Sequence, residues 1–202
     1  MQLLHIDSSV LGANSVSRGL TAEIVARQVA LHPGMTVIHR DLATDAALHL
    51  SAAHLAAWQG GPVEDALLDA DIAKGGAFLE EIFASDIIVI GAPMYNFSIP
   101  SQLKAWIDRV VIAGKSFRYG ANGPEGLVKN KKVFIASSRG GVYVPDSPAA
   151  ALEHHESYLT GVLSFIGMTD VTIIRAEGLA IGPEARERAI SKARENIAAI
   201  AA

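Results

Sequence analysis

One stretch constrains the fold more than any other: Ser85-Asp-Ile-Ile-Val-Ile-Gly-Ala-Pro-Met-Tyr-Asn-Phe-Ser-Ile-Pro100. Ile87 to Ile90 form an unbroken apolar run, short enough for a strand and without polar alternation. Such a run suits a strand covered on both faces, as in a parallel sheet between two helical layers. Gly91 and Pro93 end it, since proline has no N–H for the ladder and biases Ala92 away from helix. Pro100 then fits the first turn of a helix, and Leu103, Trp106, Ile107, Val110 and Val111 fall on one helical face. Met94-Tyr-Asn-Phe97 is thereby placed on a loop at the carboxyl end of a buried strand, where open α/β sheets bind ligands. Two rings and an amide there can stack on and hydrogen-bond a flat heteroaromatic. The plainer alternative is a turn whose rings cover a core edge.

The same strand–loop–helix order recurs along the chain. Leu3 to Ile6 reads as a first strand, followed by a hydroxyl-rich loop through Ser17 and a helix marked by Leu20, Ile24 and Leu31. Ser15 or Ser17 is a competent N-cap. The amides and positive dipole end of that helix suit a phosphate. The loop has neither G-x-G-x-x-G nor G-x-x-x-x-G-K-[ST], so it is neither of the glycine-rich phosphate loops those patterns mark. Beyond Arg18 it carries little positive charge. A phosphate would rest on the Ser9, Ser15 and Ser17 hydroxyls and on backbone N–H groups, each such bond worth about 1.5–3 kcal/mol. A serine-rich cap without a ligand is the alternative.

Met35 to His39 reads as a second strand, and Lys132 to Ala136 as a fourth, ending in the glycine pair of Ser137-Ser-Arg-Gly-Gly141. Adjacent glycines let a backbone approach a ligand closely or adopt a positive φ. Leu48 to Ala84 is helical but broken at Gln59-Gly-Gly-Pro62, the longer second helix carrying Leu67, Leu68, Ile72, Phe78, Leu79, Ile82 and Phe83. Gly114 to Lys132 is irregular, either a surface loop or a flap near the strand ends, with Phe117 and Tyr119 spaced like one face of a strand. Ala149 to Met168 reads as helix, Val171 to Ile174 as a fifth strand and Pro183 to Ala201 as a closing helix. No metal site is expected. His49 and His54 are five apart and read as surface residues, and the adjacent His154 and His155 point different ways on a helix.

Composition narrows the function. With 202 residues and no linker or repeat, one domain spanning 1–202 is expected. A net charge of −4 without a Lys/Arg-rich run argues against nucleic acid. No cysteine means no disulfide scaffold, no cysteine nucleophile and no thiolate zinc site. Neither a signal sequence nor a membrane-crossing run is legible, which points to a cytoplasmic protein without a membrane partner. G-x-S-x-G is also missing, and no side chain is assigned as an essential acid or base.

Five strands alternating with helices imply a doubly wound α/β fold with a parallel sheet. The order 2-1-3-4-5, helices on both faces, gathers the three loops at a crevice between strands 1 and 3, a place for a mononucleotide such as FMN. Here the resemblance to a known family becomes specific. Ala92-Pro-Met-Tyr-Asn-Phe-Ser-Ile-Pro-Ser-Gln-Leu-Lys104, Phe117-Arg-Tyr119 with Gly123-Pro-Glu-Gly-Leu127, Ser138-Arg-Gly-Gly141, Phe165-Ile-Gly-Met-Thr-Asp170 and Ala176-Glu-Gly178 resemble the FMN-dependent NADH-azoreductases and NADH:quinone oxidoreductases of the flavodoxin-like superfamily. Leu48 to Ile72 carries none of these strings. The resemblance implies a flavodoxin-like fold, non-covalent FMN, NADH or NADPH as hydride donor, a homodimer, and two-electron reduction of quinones and azo compounds in alternating steps. By position it implies phosphate contacts from Ser9, Ser15, Val16 and Ser17. It sets Met94, Tyr95, Asn96 and Phe97 on one side of the flavin and Ser138, Arg139, Gly140 and Gly141 on the other. Asn96, Phe97 and Tyr119 would face the substrate, Tyr119 from a partner subunit. The rivals in other classes are a small electron carrier and a nicotinamide-binding module without flavin.

Overall fold

The central strand shows why an unbroken apolar run is needed. In the computed structural model, which describes residues 1–201, Ile88 and Ile90 enter one buried cluster while Ile87 and Val89 enter another. Both faces of the strand are therefore covered. This strand, β3 (Ile87–Pro93), is buried at every position. It lies in a parallel sheet with β1 (Gln2–Asp7), β2 (Thr36–Asp41), β6 (Lys132–Ser138) and β7 (Asp170–Ala176), in the order β2-β1-β3-β6-β7. Strands β4 (Phe117–Gly120) and β5 (Gly123–Gly126) form a separate antiparallel hairpin. The sheet thus has the expected 2-1-3-4-5 order.

Helices α1 (Val16–Leu31) and α6 (Pro183–Ala198) cover one face, where Leu20, Ile24, Ala193 and Ile197 meet Leu3, Phe134 and Ile174. Helices α3 (Ala66–Ala84), α4 (Ser101–Val110) and α5 (Glu156–Ile166) cover the other, with Phe78, Leu103, Trp106 and Leu163 on Leu4, Ile6, Val133 and Ile135. The short α2 (Ala52–Trp58) leads into α3. Strand register decides where the connecting loops emerge. Asp7 pairs with Gly91, Gly91 with Ala136 and Pro93 with Ser138, so the loops leaving β1, β3 and β6 lie along one edge. The strand order reverses direction at β1 and β3, which is where such sheets open a crevice.

Four expectations are corrected. Helix α5 begins at Glu156, not Ala149, because the Glu153 carboxylate accepts from the amides of His155, Glu156 and Ser157 and starts the helix there. His155 precedes that helix and is fully buried. His54 is buried rather than on the surface: Nε2 meets Asp71 Oδ2 at 3.1 Å and Nδ1 meets Ser51 Oγ at 2.8 Å. Arg109 closes this cluster, its Nε donating to Asp71 at 2.7 Å and its Nη2 to the Leu48 carbonyl at 2.8 Å. Leu67 and Phe83 face outward on α3 instead of joining the core. The irregular segment contains the hairpin, with Phe117 buried at 4.6 Å from the Phe165 ring and Tyr119 exposed. No helix among the described residues is long and apolar enough to cross a membrane.

Candidate cofactor site

The loop after β1 turns short hydroxyl side chains inward, Ser8, Ser9 and Ser15 being buried while Val10 and Leu11 face outward. Ser8 Oγ donates to the Gly91 carbonyl at 2.6 Å and ties this loop to β3. Ser9, fully buried, has its Oγ 3.1 Å from the Tyr95 hydroxyl, which also accepts from the Val10 amide at 3.3 Å. Ser15 is the N-cap of α1: its backbone is extended and its Oγ accepts from the Arg18 amide at 3.3 Å. Ser17 Oγ lies 3.0 Å from Ser15 Oγ, both residues buried. The amides of Val16 and Ser17 belong to the first turn, where no carbonyl of the helix reaches them. Two hydroxyls and two amides therefore sit at the positive end of a helix 16 residues long.

Arg18 does not complete this group with its charge. Its Nη2 donates to the Ser9 carbonyl at 2.8 Å and to Asp41 Oδ1 at 2.6 Å, and Nη1 stands 3.6 Å from Asp7 Oδ2. The hydrogen bond to Asp41 holds the guanidinium above its ordinary pKa, and Arg18 in turn holds Asp41 below the usual carboxylate range. A cavity of about 580 Å³ opens here, lined by Ser9, Gly12, Ser15, Arg18, Asp41 and Thr44 among others.

The loop after β3 is a tight turn. Tyr95 N donates to the Ser98 carbonyl at 2.9 Å and Ser98 N to the Tyr95 carbonyl at 3.1 Å, leaving Asn96 (φ 47°) and Phe97 (φ 71°) in the left-handed region. For a residue with a Cβ that region costs roughly 1–2 kcal/mol. Asparagine tolerates it; phenylalanine does not do so readily. Strain of this kind held at the mouth of a crevice is characteristic of ligand sites. Met94 N is anchored to the Ser138 carbonyl at 2.8 Å, and the Phe97 carbonyl accepts from His154 N at 3.2 Å. Phe97 is 43 % exposed, its ring 6.3 Å from that of Tyr143 and nearly perpendicular to it.

The loop after β6 supplies backbone. Arg139 N donates to the Ala176 carbonyl, and the carbonyls of Arg139, Gly140 and Gly141 accept from Leu179, Ala180 and Gly178. The Arg139 side chain turns inward, 2 % exposed, into an ion pair with Glu156 and within 3.5 Å of Glu153. Glu156 also binds Arg175, with Nε to Oε1 at 2.9 Å. Burial pushes the Glu156 carboxyl up, but Arg175, Ser137 and Arg139 together hold it below its ordinary value. His155 lies against this cluster with neither ring nitrogen hydrogen-bonded; burial and then the Arg139 charge push its pKa down to about 4. Gly141 keeps φ outside the left-handed region, so the positive-φ reading of the glycine pair does not hold there. A Cβ on Gly141 would meet the Tyr143 ring, with Oη at 3.1 Å and Cε2 at 3.2 Å.

The expected residues thus fall into three sets. Ser9, Met94, Tyr95, Asn96, Phe97, Gly140 and Gly141 lie on the three neighbouring loops, Ser15 caps α1, Val16 and Ser17 open it, and Ser138 ends β6. Arg139 is on its loop only through its backbone. Tyr119 stands 75 % exposed on the hairpin, which packs on α5. Sequence reasoning missed Tyr143, which joins Phe97 to Gly141, and the Glu153–Glu156–Arg175 group that holds Arg139. Phe97 is far from Tyr143 in the chain, and Arg139 from Glu153 and Glu156, so neither contact leaves a spacing signal.

Hydroxyls and first-turn amides at a helix N-terminus are groups able to hold a phosphate, and the rings nearby are able to flank a flat heteroaromatic. The family described by its flavodoxin-like fold matches residues 1–201. An FMN-dependent NADH:quinone oxidoreductase of Bradyrhizobium sp. strain BTAi1 is 51 % identical over 202 residues, covering 100 % of both chains. An azoreductase from Bacillus anthracis str. Sterne superposes with a TM-score of 0.87 at 28 % identity, over 98 % of this chain and 97 % of the other. An FMN-dependent NADH-azoreductase from Bacillus anthracis str. Ames Ancestor, solved in complex with FMN, gives 0.85 at 25 % identity, over 98 % of each. With the serine loop, the strained Asn96-Phe97 turn and the glycine pair on one sheet edge, this chain belongs to the flavodoxin-like family of FMN-dependent NADH:quinone oxidoreductases and azoreductases.

Proposed function

We propose that the chain binds FMN non-covalently in the crevice between β1 and β3, and that NADH or NADPH reduces quinones and cleaves azo compounds there by two-electron transfer. The observation that carries this is the convergence of three loops of different chemistry on one edge. Ser9, Ser15 and Ser17 with the Val16 and Ser17 amides would hold the phosphate. Met94 to Phe97 would flank the ring on one side, with Ser138 and the Arg139-Gly140-Gly141 backbone on the other. Bound FMN supplies the hydride chemistry. The protein positions and shields, and no side chain need act as acid or base. Asn96 and Phe97 would receive the flat substrate, Phe97 being pre-set by its backbone.

One such platform accommodates one flat molecule at a time. The oxidised nicotinamide then leaves before the acceptor enters, which is ping-pong behaviour. The apolar cover is incomplete in a single chain. Tyr119, exposed beside Phe117 and Phe165, would supply it across a two-fold axis in a cytoplasmic homodimer. The visible spectrum of purified protein before and after NADH tests the cofactor: a flavin absorbance that bleaches supports it, and colourless, NADH-inert protein that cannot be loaded with FMN overturns it. Parallel double-reciprocal lines with NADH and a benzoquinone test the alternation. Sedimentation at twice the chain mass, with loss of turnover in Tyr119→Ala, tests the composite pocket.

A further inference from the structure

Outside the cofactor crevice, between β1, the edge strand β2 and α1, two imidazoles meet on one carboxylate oxygen. His5 and His39 are register partners on neighbouring parallel strands, and Asp7 lies two residues beyond His5 on the same face. His39 Nε2 stands 3.1 Å from Asp7 Oδ2, and His5 Nε2 stands 3.3 Å from the same atom. The ligating atoms of all three lie within 4.8 Å of one another, the only such group of three found among the described residues. His5 Nε2 is buried without a hydrogen-bond partner, and Asp7 is 4 % exposed.

We infer that His5, Asp7 and His39 form a binding site for a divalent transition metal, best matched to zinc, with solvent in the fourth position. Zinc takes imidazole nitrogen and carboxylate oxygen at about 2.0–2.2 Å in a tetrahedron. The edge between two such ligands is then roughly 3.3–3.5 Å. The distances from Asp7 Oδ2 to the two imidazoles are already close to that edge. Two imidazoles with one carboxylate favour a borderline ion such as zinc over magnesium or calcium. The entry path is the His39 side, since that side chain is 48 % exposed while His5 is 12 % exposed.

The surroundings supply the outer partners such a site needs. Thr21 Oγ1 donates to Asp7 Oδ1 at 2.8 Å and leaves Oδ2 for the ion. Arg18 is the competitor, its Nη1 at 3.6 Å from Oδ2; its closer partners, Asp41 and the Ser9 carbonyl, remain when Asp7 takes an ion. Gly91 is the other fitted part, since a Cβ there would come within 3.0 Å of Asp7 Oδ1 and 3.1 Å of Thr21 Cγ2. An ion here would fasten edge strand β2, three of whose residues are exposed, to β1.

The test uses the full chain as purified, in phosphate-free buffer at neutral pH. Zinc chloride is titrated against a chromophoric chelator, and cobalt is followed by the visible bands of tetrahedral Co²⁺ to the red of flavin absorbance. One ion per chain, a rise in melting temperature with zinc, and intense cobalt bands are expected. Because loss of an outer partner alone typically weakens a metal site about 10–100-fold, His39→Gln should weaken zinc at least about tenfold. It should abolish the cobalt bands and remove the rise in melting temperature that zinc gives, read against the variant's own metal-free value. His5→Gln should do the same to zinc; if that buried variant misfolds, His39→Gln decides alone. Absence of saturable zinc binding, or equal affinity in folded His39→Gln, would show that the three groups are only hydrogen-bonded. None of these readouts depends on FMN or turnover, so failure here leaves the cofactor assignment standing.

Discussion

The loops that leave β1 and β6 lie on one edge of the sheet and would face the same ligand, but they are built in opposite ways. The β1 loop presents side chains: Ser15 and Ser17 hydroxyls bonded to each other, with first-turn amides beside them and Arg18 turned aside to Asp41. The β6 loop presents backbone, and its charged side chain is sunk into a buried group with Glu156, Glu153 and Arg175. Where side chains meet the ligand, substitution should change affinity and spare the fold. Where a side chain only holds the loop, substitution should cost stability first. The contrast is open to direct attack from both sides.

The largest effect is expected at Arg139. Breaking a buried ion pair costs about 3–5 kcal/mol when it strands a charge; Glu156 keeps Arg175 as a second cation, so that figure is the upper bound for removing Arg139. Arg139→Met should lose stability within that bound in chemical denaturation, with flavin loss resulting from the loosened loop. A variant as stable as the parent but unable to hold flavin would mean that the side chain acts on the ligand, erasing the distinction.

The next is a pH dependence. His155 is neutral in the folded chain, its pKa moved from 6.5 to about 4 by burial and the Arg139 charge. Between those values the unfolded chain binds the extra proton, so stability should fall as pH drops from 6.5 toward 4 and be flat above. The carboxylates of Glu153 and Glu156 are held below their ordinary 4.5 and lose their contribution only lower still. Denaturation curves across that window should slope for the parent and flatten for His155→Met. An equal slope in both would place the titrating group elsewhere.

On the β1 side, Ser15→Ala with Ser17→Ala should weaken FMN at least about tenfold, the equivalent of 1.4 kcal/mol, while riboflavin, lacking the phosphate, changes little. Loss of the cap should cost about 1 kcal/mol of stability. Unchanged FMN affinity would remove the phosphate from this loop. The smallest effect belongs to Gly141→Ala, whose Cβ must displace the Tyr143 ring by a few tenths of an ångström. A loss of about 1 kcal/mol is expected, and combination with Tyr143→Ala should remove it. If the loss persists in that pair, it is the ligand and not Tyr143 that requires the glycine.

What the sequence determined by itself is local and periodic. A short apolar run with no alternation, closed by Gly91 and Pro93, suits a strand buried on both faces, and Ile87 to Ile90 are divided between two cores accordingly. A hydroxyl before an apolar period marks a helix start, at Ser15 or Ser17 by sequence and at Ser15 in the fold. From such pieces the sheet order and the three loops of the candidate site can be written down. What tertiary structure decided is where long or titratable side chains go. Sequence alone sets Arg139 against the ligand, whereas glutamates on another element turn it inward. It sets His54 on the surface, whereas Asp71 and Arg109 receive that ring in the interior. His5 and His39 carry no metal-like spacing, and only the pairing of β1 with β2 sets them on one carboxylate. Backbone conformation and burial period are fixed by near neighbours in the chain. The direction of a charged side chain is fixed by whichever opposite charge spares it desolvation, and in this fold that charge lies tens of residues away.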